Sequence, residues 1–126
     1  MNHAVHWFEI PVSDFDRAKA FYEAVLEIEM PVMEMPDHMG GKMAFFPADF
    51  SKGEVGGTII QGPDYTPSTD GSLIYLDGGA DLSVPLGRVE GAGGQVIVEK
   101  MDIGENGFVG FFIDTEGNRA GLHSMG

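Results

Sequence analysis

The stretch Trp7–Leu26, which reads WFEIPVSDFDRAKAFYEAVL, decides the fold because it places a strand, a capped turn and a helix in direct succession. Residues 4–12 are rich in β-branched and aromatic side chains, which predicts a strand. Ser13 and Asp14 then offer an N-cap. Apolar residues follow at i, i+3 and i+4 spacing, which predicts an amphipathic helix over residues 14–27. They are Phe15, Ala18, Phe21, Tyr22, Val25 and Leu26.

The same order of elements recurs along the rest of the chain. Strands are predicted at 28–35, 42–48 and 54–61, a connector at 62–71, a strand at 72–77, a helix at 81–91, and strands at 95–101, 108–114 and 119–125. Both halves therefore have the order strand, helix, strand, strand, strand. Residues 44–46 match residues 110–112 at an offset of 66, and Gly57 matches Gly121 at an offset of 64.

This repeat predicts two βαβββ modules, at about residues 3–62 and 72–126, within one domain that spans residues 1–126. One module has an open sheet edge and one apolar face, and it cannot bury both alone. Two modules side by side can form a curved eight-strand sheet with the helices outside. The predicted fold class is therefore α+β, and its curved sheet encloses a cleft of the kind that binds small ligands.

Composition excludes several classes of function. Twenty Asp and Glu residues face seven Lys and Arg, which gives a formal net charge of −13 and disfavours nucleic acid or an anionic membrane as a partner. The absence of cysteine excludes disulfides, thiolate nucleophiles and cysteine zinc sites. No segment approaches the roughly 20 apolar residues that cross a bilayer, and the N-terminus lacks the pattern of a signal peptide. We therefore expect a soluble cytoplasmic protein.

Two motifs resemble a known family. The first is Asp14-x-x-Arg-Ala-x-x-Phe-Tyr22 followed by Val25-Leu26, and the second is Phe111-Phe112-x-Asp114-x-x-Gly117-Asn118 before the last strand. Together they resemble the vicinal oxygen chelate superfamily, which includes glyoxalase I, bleomycin-resistance proteins, fosfomycin-resistance enzymes and extradiol dioxygenases. The second motif carries Thr115 where the family usually has proline. The resemblance implies paired βαβββ modules and often a homodimer with sites near the interface.

The resemblance also implies positions for a metal. Metal-dependent members hold a divalent ion with His or Gln, Glu, His and Glu on four strands. Counting from the two motifs places these positions at Trp7, Gly57, Ser72 or Leu73, and Gly121. Four of these residues cannot chelate through their side chains, and serine is a poor ligand. The prediction is therefore that the usual metal site is missing and that no cofactor is bound.

One alternative stays open. If the placement slips, a Zn, Ni, Mn or Fe ion would bind His6, His123 and a carboxylate. A slip of one residue moves a strand side chain to the opposite face, however, so His6 would then point away from the cleft.

Strand parity and the repeat together predict the lining of the cleft. Trp7 and Glu9 share one face of the first strand. The repeat pairs Trp7 with Leu73, Glu9 with Tyr75, and Ile59 with His123, and Gln61 joins Ile59 by parity. The predicted ligand-binding residues are Trp7, Glu9, Ile59, Gln61, Tyr75 and His123. Glu9 and His123 are also the candidates for general acid–base catalysis.

Three functions compete at this stage. The favoured one is a small-molecule-binding protein of the glyoxalase and bleomycin-resistance type without the usual metal, whose acidic surface suits a cationic or neutral aromatic ligand. The alternative is a metal-dependent glyoxalase-like lyase or related enzyme on a vicinal-oxygen substrate. The third is a non-catalytic domain that acts through dimerisation. Whether the two modules pair within one chain or between two chains is left open, and so is catalysis.

Overall fold

A computed structural model describes residues 3–34 and 41–126. Its helices and strands are β1 (Trp7–Pro11), α1 (Phe15–Leu26), β2 (Val32–Glu34), β3 (Lys42–Phe45), β4 (Gly56–Gln61), β5 (Ile74–Asp77), α2 (Ser83–Leu86), β6 (Gln95–Asp102), β7 (Phe108–Ile113) and β8 (Arg119–Ser124). This is the element order predicted from the sequence. Met35, the last residue of the predicted strand 28–35, lies outside the described residues.

The strands form two open four-stranded sheets. Sheet 1 has the order β1-β4-β3-β2 and sheet 2 the order β5-β8-β7-β6. In each sheet the first strand of the module lies at an edge and runs parallel to the last strand, while the other neighbours are antiparallel. The predicted α+β class and the two βαβββ modules are confirmed.

Helix α1 begins and ends where its sequence provides caps. The Asp14 side chain accepts a hydrogen bond from the Arg17 backbone N–H at the N-terminus. At the C-terminus Glu27 adopts the left-handed conformation with φ 54°, and its N–H donates to the Glu23 carbonyl. The buried side of the helix is the predicted one. It consists of Phe15, Ala18, Phe21, Tyr22 and Val25.

Helix α2 is shorter than the predicted helix over residues 81–91. It spans four residues, and turns continue from there to Gly93. Asp81 does not start the helix: its carboxylate accepts hydrogen bonds from the Ser83 N–H and hydroxyl, and these bonds together with Lys100 lower the pKa of Asp81 to about 2. Pro85 supplies no backbone N–H, and Gly87 and Gly91 follow it, so the sequence cannot sustain a longer helix.

One core joins the two modules through α1. The rings of Phe21 and Tyr22 lie 5.8 and 6.4 Å from that of Phe112 in β7, and Tyr22 also lies 5.5 Å from Phe46, next to β3. The same helix therefore packs against both sheets. We call the side of each sheet that faces the helices its inner face and the opposite side its outer face.

A polar seam reinforces this contact between modules. The Tyr22 hydroxyl donates to the buried Asp114 carboxylate at 2.6 Å, and Asn118 donates to the same carboxylate. Glu116, in the same turn, accepts hydrogen bonds from the backbone N–H groups of Ser13 and Asp14 and from the Arg17 guanidinium. The turn between β7 and β8 is thus fastened to the N-terminus of α1.

Candidate functional site

The outer faces hold most of the residues predicted to bind a ligand. In sheet 1, Trp7 is in register with Gly56 and Glu9 with Thr58. In sheet 2, Tyr75 is in register with Gly121. Parity along each strand places these residues on the faces opposite the core.

On sheet 1 an aromatic cluster sits on a glycine. A Cβ added to Gly56 would lie 2.9 Å from the Phe50 ring and 3.2 Å from the Trp7 ring, so the rings occupy the space that a side chain would need. The Trp7 ring makes an edge-to-face contact with Phe45 at 6.0 Å and lies 6.3 Å from Phe50. Trp7 is 37% exposed and Phe50 64%. The cluster is therefore a solvent-facing aromatic surface.

Sheet 2 carries a similar arrangement. A Cβ on Gly121 would lie 2.7 Å from the Tyr75 ring and 3.3 Å from that of Phe111. The two rings meet edge to face at 5.7 Å, and the Arg119 guanidinium lies 4.8 Å from the centre of the Phe111 ring. Tyr75 is 48% exposed. Each outer face therefore presents an exposed ring seated on a glycine of the neighbouring strand.

Polar groups lie on the same outer faces as the Trp7 and Tyr75 rings. The negative charge of Glu9, together with burial and a hydrogen bond to Glu9, raises the pKa of Tyr65, so Tyr65 stays neutral beside the carboxylate. On sheet 2 the His123 Nε2 lies 2.6 Å from the carbonyl oxygen of Asn106. A carbonyl only accepts hydrogen bonds, so this geometry assigns the proton to Nε2 and leaves Nδ1 as an acceptor when the ring is neutral.

Two of the predicted site residues lie on the inner face instead. Ile59 is fully buried in the core and is in register with Ile10 and Ala44. The Gln61 side chain accepts a hydrogen bond from the Phe15 N–H at 2.8 Å, so it caps the start of α1. The prediction that both residues share a cleft with Trp7 is wrong.

The error comes from the offset used to align the repeat. Gly57 is in register with Phe8, whose ring lies over it on the inner face, whereas Gly121 lies under Tyr75 on the outer face. The match of Gly57 to Gly121 therefore joins residues on opposite faces, and an offset one residue different restores the correspondence. Gly56, not Gly57, is the outer-face glycine of sheet 1.

The structure brings the remaining candidates together in pairs. Trp7 and Glu9 share the outer face of sheet 1, and Tyr75 and His123 share that of sheet 2. Sequence reasoning missed the rings and the hydroxyl that complete these faces. They are Phe45, Phe50, Thr58 and Phe111.

Two depressions lie between the modules. The larger is a groove of about 1280 Å³ next to the core, lined by Phe8, Phe46 and Tyr75 among others. The smaller, about 180 Å³, lies where the connector passes β1 and β8, and it is lined by Glu9 and Arg119 among others. Neither depression contains both pairs of outer-face candidates.

Known proteins share this architecture. The family model described as bleomycin resistance protein-like N-terminal matches residues 5–39. No curated protein sequence matches the chain. Among solved structures, TnmS3, an antibiotic binding protein from Streptomyces sp. CB03234, is 21% identical, and the alignment covers 100% of this chain and 98% of that one with a TM-score of 0.64.

Two glyoxalases are similar as well. The trypanothione-dependent glyoxalase I of Leishmania major is 16% identical, with a TM-score of 0.71 and coverage of 98% of this chain and 88% of that one. Glyoxalase I from Zea mays is 17% identical, with a TM-score of 0.69, and the chain covers 45% of its length while 94% of this chain is aligned. The chain has the vicinal oxygen chelate fold. The resemblance predicted from the sequence is thereby confirmed.

The vicinal oxygen chelate fold directs attention to the four strands that carry metal ligands in its metal-dependent members. Gly57 lies on the inner face and Ser72 and Leu73 precede β5, so the outer-face residues in register with Trp7 and Gly121 are Gly56 and Tyr75. None of these four residues has an imidazole or a carboxylate, although Glu9 and His123 lie two positions further along β1 and β8. Among residues 3–34 and 41–126, no three His, Asp or Glu side chains converge. The donor set at these positions does not fit a divalent ion. Within the same ranges, no helix is long and apolar enough to cross a membrane.

Proposed function

We propose that this protein binds a planar aromatic small molecule, without a metal, in clefts formed between two copies of the chain. Each cleft would combine the outer face of sheet 1 from one subunit with the outer face of sheet 2 from the partner. The observation that carries the proposal is the pair of exposed rings, Trp7 and Tyr75, each seated on a glycine of its own sheet.

Pairing between chains is supported by the separation of these rings within one chain. Neither of the two depressions between the modules contains both Trp7 and Tyr75. A two-fold dimer brings the sheet 1 face of each subunit against the sheet 2 face of the other and produces two equivalent clefts. Exposed aromatic rings are the side chains most enriched at such interfaces.

The chemistry of the faces supports binding of an aromatic ligand, with a preference for a positive charge. Tryptophan and tyrosine rings stack on flat π systems, and tryptophan is the strongest aromatic partner of cations. Glu9 adds a carboxylate next to Trp7, and the chain as a whole carries a formal charge of −13. The fold is shared with an antibiotic binding protein and with glyoxalases, and the side chains at the metal positions favour the first kind of activity.

Mixing two variants tests the cleft between chains. Trp7→Ala and Tyr75→Ala homodimers each have one defect in every cleft, so both should lose affinity for planar dyes such as proflavine. After subunit exchange, half of the dimers are heterodimers, and each contains one intact cleft. We expect about a quarter of the wild-type sites to return, measured by dye anisotropy.

Three results would contradict the proposal. Light scattering that gives the 13.5 kDa mass of one chain instead of about twice that mass would exclude the dimer. No recovery of sites on mixing would exclude clefts shared between chains. Stoichiometric retention of Zn²⁺ or Ni²⁺ after gel filtration, lost in His123→Ala, would favour the metal-dependent enzyme instead.

A further inference from the structure

A buried hydroxyl on the outer face of sheet 1 has no hydrogen-bond partner. Thr58 is fully buried, and among the described residues its Oγ1 is the one buried side-chain N or O atom without a partner. Such an orphaned group destabilises the folded chain relative to a satisfied one. A valine would fill the same space without that cost, so the hydroxyl needs a reason outside the free chain.

The position of Thr58 points to the ligand. It lies in β4, the second strand from the edge of sheet 1, in register with Glu9 on one side and Phe45 on the other. The rings of Trp7 and Phe45, from the strands that flank β4, meet 6.0 Å apart across this strand. Thr58 is therefore at the floor of the aromatic cluster.

The cover over this floor is partly exposed to solvent. Trp7 lies on the edge strand and is more than one third exposed, so its ring can turn toward solvent without breaking the core. A planar molecule that takes a place between the Trp7 and Phe45 rings would bring its rim next to the Thr58 hydroxyl. Glu9, one position across the sheet, would face any positive charge on that molecule.

We propose that Thr58 is the specificity-determining hydrogen-bond acceptor of this half-site, and that the preferred ligand is a planar aromatic cation with N–H donors on its rim. This inference rests on the proposed function and adds the chemical class of the ligand. The hydroxyl accepts from the ligand N–H, while Glu9 balances the ligand charge and Trp7 stacks on its face.

Two dyes with the same tricyclic ring system and the same positive charge separate the hydrogen bond from stacking. Proflavine carries amino groups on its rim that can donate hydrogen bonds. Acridine orange has the same ring system, but its amino groups are dimethylated and have no N–H to donate. We expect wild-type protein to bind proflavine about five to ten times more tightly than acridine orange, which is the worth of one hydrogen bond. In Thr58→Val the ratio should fall to about one, and in Thr58→Ser it should persist.

A second readout needs no ligand. Because Thr58→Val removes an orphaned polar group, it should raise the thermal midpoint of the free protein by about 3–6 °C while it lowers the affinity for proflavine. A structural hydroxyl would give the opposite sign. A fall in the midpoint of Thr58→Val, or an unchanged ratio of the two dye affinities, would overturn the inference.

The outcomes also separate this inference from the proposed function. If both dyes bind and the mixing experiment restores sites, but the dye ratio is the same in Thr58→Val, the cleft stands and the role of Thr58 falls. If no planar compound binds or quenches Trp7, the single tryptophan of the chain, both fall together. If Thr58→Val instead halves the mass of the assembly measured by light scattering, the hydroxyl contributes to the contact with the partner subunit and the inference is wrong.

Discussion

At the scale of single residues, Tyr22 shows how one hydroxyl connects two modules. Its ring is fully buried among aromatic side chains of both sheets, and its hydroxyl donates to Asp114. Burial, followed by the charge of Asp114 and this hydrogen bond, raises the pKa of Tyr22 well above its ordinary value. The hydroxyl is therefore protonated at neutral pH and donates to the Asp114 carboxylate.

We expect Tyr22→Phe to lower the free energy of unfolding by about 1–3 kcal/mol, because it leaves part of a buried carboxylate without its donor while the packing stays the same. Urea titration followed by circular dichroism measures the change. Tyr65→Phe is the matched control, since Tyr65 is only half-buried and lies on the connector. Equal losses in both variants would contradict the role assigned to Tyr22.

Gly121 offers a test of the ring seated on glycine in sheet 2. In Gly121→Ala the new methyl group displaces the Tyr75 ring, which is exposed enough to turn aside, so stability should fall by only about 1 kcal/mol or less. Binding of a planar dye should weaken about tenfold because one stacking surface is tilted. Gly71→Ala, where the space is open, is the control. Unchanged dye binding in Gly121→Ala would exclude Tyr75 from the cleft.

At the scale of elements, Glu116 fastens the turn between β7 and β8 to α1. Burial raises the pKa of this carboxyl, but the hydrogen bonds from Arg17, Asp14, Thr115 and Ser13 outweigh burial and hold it below its ordinary value. The ionised form therefore stabilises the folded chain above the ordinary glutamate pKa of about 4.3, and this stabilisation is lost as the pH falls through the lowered pKa.

The effect of Glu116→Gln should accordingly depend on pH. We expect the variant to lose about 1–3 kcal/mol of stability at pH 7, and we expect its difference from wild type to shrink below about pH 4, where the wild-type carboxyl is itself protonated. Urea midpoints measured at pH 7, 5 and 3.5 give this comparison. The exposed Glu29→Gln should show no such trend. A difference in stability that stays constant with pH would show that the ionised Glu116 carboxylate does not hold the turn to α1.

Elements also show how far sequence alone reaches. Periodicity predicts α1 and the eight strands because each signal is local, and a charge or a cap near the ends fixes their limits. Parity also groups Trp7 with Glu9 on one face of β1, and the structure places both on the outer face of sheet 1. The face of the sheet on which Ile59 lies cannot be predicted in the same way. The alignment of β4 with β8 rests on one glycine match, and a shift of one residue moves every side chain of the strand to the opposite face.

At the scale of the whole molecule, the feature that sequence did not predict is the sharing of α1 by both sheets. The contacts that establish it, such as Tyr22 with Asp114 and Arg17 with Glu116, join residues about a hundred positions apart. Neither partner carries a local signal of the other. The number and type of elements are thus predictable, whereas these contacts between the modules are not.

Because one core spans both modules, we expect the protein to unfold in a single transition. The calorimetric and van 't Hoff enthalpies of unfolding should agree when computed per cooperative unit. During thermal unfolding, the fluorescence of Trp7 in sheet 1 should change together with the far-ultraviolet circular dichroism. If the modules were independent, Trp7 would report an earlier or later step. Two separated transitions would contradict a shared core.

The packing of α1 also limits how this chain can be recombined with its structural relatives. A chimera that takes residues 1–62 from a protein only about one fifth identical, as TnmS3 is, would bring a foreign helix against Phe112 and Asp114. The repeat suggests an exchange at the connector, but such a crossover would separate α1 from its contacts with Phe112 and Asp114. We therefore expect a hybrid to fold only when α1 and the turn between β7 and β8 come from the same parent chain.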